Sequence, residues 1–285
     1  MAIDRPTMPD LTIDGLRLHW EEFDPEEASG RPVVLLHGLG SSGEDWLLQV
    51  PVLGRGRRIL APDLPGHGRS EGFRGWPRLE AYAGVVRRLI DQADAAPAHL
   101  VGLSLGGAVA LQLAVDSPKH VSSLVMADSF DGFRPDLRVL VRSAAWLAHV
   151  LFGTMEGVAE WVAQDLFPLP EQADLRKEAA ARLARNSRSD YLRALVAAAR
   201  FDVRRRLGSV MCPALIVAGE LDSLFPLKQQ QEIAARIPGA RLVIVPGSRH
   251  ATPIDASEAF NRLVTEFLDE VEGRIGVGEL STTGP

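Results

Sequence analysis

The chain has 285 residues, of which 46% are apolar and 24% charged, and its formal net charge is −6 at pH 7. This composition is typical of a globular protein large enough to bury a full core, and the negative charge argues against a nucleic-acid-binding surface. The single cysteine, Cys212, excludes an internal disulfide, and the sequence has no cysteine and histidine cluster for structural zinc. Residues 1–10 lack the apolar stretch of a signal peptide, and no segment is long enough to span a bilayer. We therefore expect a cytoplasmic protein without a membrane partner.

The first part of the chain predicts a sheet whose strands are covered on both faces. Asp14-Gly15 lies between two strand-like runs and is a hairpin signal. The later runs are apolar throughout, as expected of strands with helices on either side. A stretch with helical spacing of its apolar residues covers the sheet. Strands are predicted at 11–13, 16–23, 33–36, 57–61 and 98–103, and a helix at 79–93.

The strand at 98–103 runs into Gly102-Leu103-Ser104-Leu105-Gly106, and residues 108–115 then predict a tightly packed helix. A strand that turns directly into a helix bends at one residue, whose strained backbone requires neighbours without bulk. Gly102 and Gly106 meet that requirement. The bend would expose the Ser104 hydroxyl at the end of the strand, beside the positive end of the helix dipole. Ser104 is therefore the candidate nucleophile.

A second glycine-rich segment, His37-Gly38-Leu39-Gly40, follows the strand at 33–36. Glycines allow backbone N–H groups to approach a ligand closely. A serine hydrolase needs two such donors to stabilise the oxyanion of its tetrahedral intermediate. We assign these donors to the backbones of Leu39 and Leu105 and expect the His37 imidazole to support the loop.

The alternation of strands and helices stops after the strand at 121–127. Residues 131–206 give no strand signal and predict helices broken by glycine and proline, which indicates an inserted helical cap. Alternation then resumes, with strands at 214–218 and 241–245 and helices at 227–237 and 255–271. The predicted organisation is a core domain formed by 1–130 and 207–272, a cap at 131–206 and a loose tail at 273–285.

The serine needs a base, usually a histidine that a carboxylate orients. Asp222 follows the strand at 214–218, and His250 follows the last strand, so both fall where a parallel sheet places its ligands. The order Ser104, Asp222, His250 is a known order for such a triad. Asp128 also ends a strand and is an alternative acid.

The first predicted helix of the cap carries two apolar stripes. Two stripes indicate that one packs inside the domain and that the other faces a cavity above Ser104. Trp146, with Trp161 from the next helical stretch, would then line an acyl pocket, although burial of both stripes within the cap is also consistent with the pattern. The stripes are Leu137, Val141, Ala144 and Ala148, and Val139, Ser143, Trp146 and Val150.

These motifs together resemble the α/β-hydrolase family, from Leu11 to Val271 and less specifically across the cap. They are His-Gly-Leu-Gly, Asp-Leu-Pro-Gly-His-Gly-Arg-Ser, Gly-Leu-Ser-Leu-Gly-Gly, Gly-Glu-Leu-Asp and the late histidine. Within the family the chain looks most like small cytosolic carboxylesterases and enol-lactonases. The resemblance implies an α/β-hydrolase fold with a mostly parallel eight-stranded sheet, flanking helices and an inserted helical cap. It also implies a triad of Ser104, Asp222 and His250, and an oxyanion hole formed by Leu39 and Leu105.

The sequence thus predicts a serine hydrolase that cleaves a small-molecule carboxylic ester or lactone through an acyl-enzyme, without a metal or an organic cofactor. The alternatives are a C–C bond hydrolase or a cofactor-free perhydrolase on the same triad, or a ligand-binding receptor of the same fold. Ala251 and Ser41-Ser42 stand where related C–C hydrolases often carry tryptophan and Pro-Gly, which counts against that activity. The substrate and the oligomeric state stay open.

Overall fold

The computed structural model describes residues 11–13, 15–25, 28–134 and 137–273, and the side chains of 137–143 are not part of the description. Apart from Gly273, the tail predicted at 273–285 lies outside the described residues. The strands are β1 (Leu11–Ile13), β2 (Leu16–Leu18), β3 (Trp20–Phe23), β4 (Val33–Leu36), β5 (Ile59–Pro62), β6 (Ala98–Leu103), β7 (Val121–Ala127), β8 (Ala214–Gly219) and β9 (Arg241–Val245). The helices are α1 (Val50–Leu53), α2 (Leu79–Gln92), α3 (Leu105–Asp116), α4 (Leu137–Phe152), α5 (Met155–Leu166), α6 (Ala173–Ala184), α7 (Arg188–Ala199), α8 (Leu227–Arg236), α9 (Thr252–Asp255) and α10 (Ser257–Val271).

The main sheet has the strand order β3-β5-β4-β6-β7-β8-β9, in which β3 is antiparallel to β5 and the remaining neighbours are parallel. The predicted mostly parallel sheet is therefore confirmed. In the described part of the chain it contains seven strands instead of the expected eight. The difference arises because β1 and β2 form a separate hairpin in which Leu11 lies opposite Leu18.

The apolar strands bury both of their faces because successive side chains point to opposite sides of the sheet. On β4, Val34 and Leu36 join the core formed with α2, α3 and α8, whereas Val33 and Leu35 join the core formed with α1 and α10. A strand that is apolar at every position is thus required by helices on both sides. Because β4, β6 and β8 run parallel, their carboxyl ends lie at the same end of the sheet.

The segment predicted as a cap, 131–206, contains the helices α4 to α7. Its two ends meet in an antiparallel bridge between Gly132 and Asp202, next to a hydrogen bond from the Val203 N–H to the Asp131 carbonyl (2.9 Å). The insertion therefore leaves and re-enters the core at one place. None of the helices that the structure describes is both long and apolar enough to cross a membrane.

The two stripes predicted on α4 differ from expectation where their side chains are described. Ala144 and Ala148 of the first stripe are exposed, so the prediction that this stripe packs inside the domain is wrong at these positions. Trp146 of the second stripe is half-buried and Val150 is fully buried. The remaining stripe residues, at 137–143, lie outside the description of side chains. The second stripe is thus the inward face at the end of α4.

A buried polar cluster joins the amino end of β6 to the C-terminal end of α10. His99 on β6 contacts the Ser123 hydroxyl through Nδ1 (2.7 Å) and Glu272 through Nε2 (3.1 Å), and Arg57 also binds Glu272 (2.9 Å). Burial lowers the pKa of His99 to about 4. The imidazole is therefore neutral in the folded protein at physiological pH.

The buried neutral state of His99 predicts a loss of stability in acid. Between pH 6.5 and 4.5 the unfolded chain binds a proton at this residue that the folded protein does not, so the free energy of unfolding falls as the pH falls. This one side chain contributes at most about 1.4 kcal/mol per pH unit. His99→Gln should be less stable than the wild type at pH 7 but show a shallower pH dependence in denaturant unfolding. An unchanged slope would contradict the assignment.

Candidate active site

The predicted sharp turn between β6 and α3 is present at Ser104, whose backbone has φ 52° and ψ −113°. This positive φ is unusual for a residue with a side chain and costs about 1–3 kcal/mol. A Cβ on Gly102 would overlap the backbone of Gly106, and a Cβ on Gly106 would overlap the Leu36 carbonyl. Both glycines are therefore required because α3 packs directly against the strands.

The neighbouring strand β7 holds this turn in place. The Ser104 N–H donates to the Ala127 carbonyl (2.9 Å), and the Ser129 hydroxyl donates to the Ser104 carbonyl (2.7 Å). Ser129 is buried and comes just after β7. Sequence reasoning missed it, because a serine that follows a strand carries no local signal of its partner.

The structure brings Ser104, His250 and Asp222 together. The His250 Nε2 atom lies 3.0 Å from the Ser104 Oγ, and its Nδ1 atom lies 2.9 Å from the Asp222 Oδ2. The other Asp222 oxygen accepts the backbone N–H groups of Leu224 (2.7 Å) and Phe225 (3.1 Å). Because an ionised carboxylate only accepts hydrogen bonds, Nδ1 carries the imidazole proton and the Nε2 lone pair faces the serine hydroxyl.

The electrostatic surroundings of His250 favour its protonated form. Burial by itself lowers the pKa of this imidazole, but the charge and hydrogen bond of Asp222, together with the charge of Asp128, outweigh burial and raise it. His250 is 7% exposed, and its ring lies beside the ring of Phe225, with 5.4 Å between centroids. A proton accepted at Nε2 would therefore be stabilised in a site that largely excludes water.

Asp128, the alternative acid, has different hydrogen-bond partners. It is fully buried at φ 45° and accepts the Gly219 N–H (2.8 Å), the Thr252 N–H (2.8 Å) and the Thr252 hydroxyl (3.1 Å). Burial raises its pKa to about 7, and the nearby Asp222 adds to the increase. Asp128 thus connects the end of β8 to the segment that follows His250, so it fastens together the two loops that carry the other carboxylate and the imidazole.

The loop after β4 orients the backbone N–H of Leu39. The His37 Nε2 accepts the Leu64 N–H (2.8 Å), so its Nδ1 carries the proton and donates to the Gly38 carbonyl (2.8 Å). The Ser41 N–H donates to the same carbonyl (3.2 Å). Because a trans peptide is planar, the Leu39 N–H points away from the Gly38 oxygen. Burial lowers the pKa of His37 and keeps it neutral, so the imidazole supports the loop, as expected from the sequence.

Helix α6 and the turn after it, which belong to the cap, bind the loop after β4. The Asn186 side chain donates to the Gly40 carbonyl (2.6 Å), and Arg182 forms an ion pair with Asp45. Asp45 also accepts the Ser41 hydroxyl. The cap is therefore attached to the loop that carries the Leu39 N–H. These contacts are long-range pairs of polar residues, and no motif in the sequence indicated them.

A cavity of about 950 Å³ lies between the sheet edge and the helices α4 to α7. Ser104, His250, Leu39 and Leu105 are on its wall. Trp146 also lines the cavity and donates its Nε1–H to the Tyr191 hydroxyl (3.1 Å).

Trp161 does not form part of the wall of this cavity, which corrects the prediction for that residue. It packs behind Trp146, with 5.9 Å between ring centroids, and stacks on His149. The sequence places both tryptophans in helices of the cap, but their spacing does not determine which of them reaches the cavity.

Comparison with known proteins agrees with this architecture. The sequence pattern of the alpha/beta hydrolase family matches residues 33–263. A putative carbamate hydrolase, RutD, of Caulobacter sp. (strain K31) is 33% identical over 267 residues, covering 90% of this chain and 97% of the relative. The crystal structure of the enol-lactonase from Burkholderia xenovorans LB400 has a TM-score of 0.85 at 25% identity and covers 92% of this chain and 100% of its own. A hydrolase from Pseudomonas aeruginosa PA01 has a TM-score of 0.83 at 28% identity, covering 92% and 98%.

The chain therefore belongs to the alpha/beta hydrolase family. The fold that its motifs indicated is confirmed, and the hydrolase names of the relatives support a hydrolytic enzyme.

The different partners of the two carboxylates predict different effects of removing their charge. Asp222→Asn should lower kcat on the order of 10³–10⁴-fold, because an amide no longer holds the His250 tautomer. Asp128→Asn should lower kcat far less. It should reduce the free energy of unfolding by about 1–3 kcal/mol, because an amide cannot accept all three donors. Steady-state kinetics and denaturant unfolding of both variants test this, and the reverse ranking in kcat would make Asp128 the acid.

Proposed function

We propose that the protein is a serine hydrolase that cleaves a carboxylic ester or lactone through an acyl-enzyme. The observation that carries this proposal is the hydrogen-bonded series Asp222–His250–Ser104, with its last member on the wall of an apolar cavity. A hydroxyl that faces an imidazole lone pair is an activated nucleophile when a carboxylate orients the ring. The substrate is a small molecule, and the chemistry requires no cofactor because each step moves only a proton or an acyl group.

In the first half of the reaction the Ser104 Oγ attacks the carbonyl carbon while His250 Nε2 takes its proton. The imidazolium is stabilised by Asp222, which stays ionised. The oxyanion of the tetrahedral intermediate accepts hydrogen bonds from the N–H groups of Leu39 and Leu105, which is the largest single source of rate acceleration in such sites. When the intermediate collapses, His250 donates the proton to the leaving alkoxide. An acyl group then remains on Ser104.

In the second half a water molecule attacks the acyl carbon while His250 takes one of its protons. The same N–H groups stabilise the second oxyanion, and collapse returns the proton to Ser104 Oγ and releases the carboxylic acid. For a lactone the alkoxide formed in the first half stays attached to the acyl group, so the product is a single hydroxy acid. Two features of the site support this mechanism. The peptide that carries the Leu39 N–H is held by a hydrogen bond to His37, and the His250 imidazole is buried.

A carbamate is a second candidate substrate, because curated relatives about one third identical bear the name putative carbamate hydrolase. Its carbonyl would react with the same nucleophile and base, and a carbamoyl-enzyme would replace the acyl-enzyme. The ester or lactone is favoured because the cavity beside Ser104 is lined mainly by apolar side chains. Parallel assays with an ester, a lactone and a carbamate of equal size would rank the three.

The nucleophile is tested by removing the Ser104 hydroxyl. Ser104→Ala should stay folded and lose ester turnover by several orders of magnitude. A fluorophosphonate probe should label the wild type at Ser104 and leave the variant unlabelled, as measured by mass spectrometry of the intact protein and its peptides. A variant that keeps its activity, or labelling at another residue, would overturn the proposal. A folded wild type that neither labels nor turns over any ester would favour the ligand-binding receptor.

The base is tested by the pH dependence of the reaction. Only neutral His250 can accept the serine proton, so kcat/KM should rise with pH through the pKa of this imidazole in the free enzyme. Because Asp222 raises that pKa, the midpoint of the rise should lie above the ordinary histidine value of about 6.5. A rate that is flat down to about pH 4 would contradict a histidine base.

A further inference from the structure

We infer that the natural substrate carries a large apolar group, which occupies the cavity between the sheet edge and the cap helices. The inference rests on the proposed function, since it concerns the substrate of the same site. It specifies the class of substrate as a hydrophobic ester or lactone, in contrast to a small polar one.

The first argument is the chemistry of the cavity wall. All four cap helices direct apolar side chains into the cavity, and these side chains are only half-buried although they face the interior of the molecule. Such surface gains free energy when an apolar ligand covers it, whereas a polar ligand would lose its hydration without replacement. The residues are Trp146 on α4, Val162 and Leu166 on α5, Ala179 on α6, and Leu195 and Val196 on α7.

The second argument is size. Ligand cavities commonly measure about 300–1,000 Å³, so a cavity of about 950 Å³ is at the upper end of the range. At roughly 30 Å³ for a group the size of a water molecule, an acetyl ester of a small alcohol would fill only a minor part of it. The rest would hold water against apolar walls. A larger apolar substrate replaces that water.

The third argument is that the arginine side chains at the cavity are already ion-paired. Arg182 is ion-paired with Asp45 and Glu178, so its charge is already neutralised by carboxylates of the protein. Arg134 is likewise held by two carboxylates, Asp131 and Glu232.

The remaining lysine or arginine among the described residues that line the cavity is Lys228, which is exposed at the start of α8 and, together with Arg134, lowers the pKa of Glu232. The two arginines of the cavity wall are thus already engaged by carboxylates of the protein and are not free to recognise an anionic substrate. Apolar contact is the remaining source of binding free energy across most of the wall.

A chain-length series tests the inference directly. One series varies the acyl group from acetyl to dodecanoyl on p-nitrophenol, and a second varies the alcohol of acetyl esters over the same lengths. Because each buried methylene is worth about a fourfold gain in binding, kcat/KM should rise at least about 100-fold between two and eight carbons in one of the two series. A flat or falling dependence in both series would overturn the inference.

A matched pair of variants locates the binding region. Ala179 lines the cavity and Ala181, two residues further along α6, is exposed outside it. Ala179→Phe should lower kcat/KM for the preferred long ester at least tenfold more than it lowers kcat/KM for the acetyl ester, whereas Ala181→Phe should change neither. Equal effects of Ala179→Phe on short and long esters would contradict the assignment, and thermal unfolding checks that both variants are folded. The wild-type series decides the inference even if Ala179→Phe does not fold.

Failure of the inference can be distinguished from failure of the proposed function. If Ser104 reacts with the fluorophosphonate probe and short esters are turned over as well as long ones, the serine hydrolase stands and the apolar substrate is wrong. If the folded protein neither labels nor hydrolyses any member of either series, the proposed function itself is wrong.

Discussion

The close packing of α3 against β6 and β4 is the constraint on which the rest of the site depends. It forces the chain to turn at Ser104 with φ 52°, and it leaves no room for a side chain at Gly102 or Gly106. A strained turn of this kind costs about 1–3 kcal/mol, so it persists only where the surroundings determine it completely. Hydrogen bonds from the β7 side, to Ala127 and from Ser129, provide that support. The hydroxyl is consequently presented at a fixed point at the edge of the sheet.

The polar network behind the imidazole combines two carboxylates with different tasks. Asp222 contacts His250 and orients it, while Asp128 accepts three donors from the Gly219 and Thr252 loops and fastens them together. A buried carboxylate is stable only when its oxygens are satisfied, so this arrangement ties the geometry of the site to the end of β7. The charge of Asp128 also adds to that of Asp222 in raising the pKa of His250.

The cap has two physical roles, one in holding the loop after β4 and one in forming the cavity. Asn186 and Arg182 bind that loop through Gly40 and Asp45, so the proposed oxyanion donor at Leu39 is held from the cap as well as from the core. The same helices provide the apolar wall of the cavity. A ligand that contacts α6 therefore touches the element that also fastens the loop.

The sequence by itself determined the features that depend on local spacing. Runs of apolar residues predicted the parallel strands, the paired glycines around Ser104 predicted the turn, and the interruption at 131–206 predicted the helical insertion. Asp222 and His250 could be selected because residues that follow parallel strands gather at one edge of the sheet. These inferences were possible because each rests on backbone geometry that a few neighbouring residues impose.

Only the tertiary structure decided what depends on contacts between distant segments. His250 and Ser104 are 146 positions apart, and the choice between Asp222 and Asp128 as the partner of the imidazole required the positions of three loops at once. The pairing of β1 with β2 outside the main sheet, the position of Trp161 behind Trp146, and the hydrogen bond from Asn186 to the Gly40 carbonyl have the same origin. Side-chain packing and buried hydrogen bonds are properties of the assembled core, and residue spacing along the chain does not specify them.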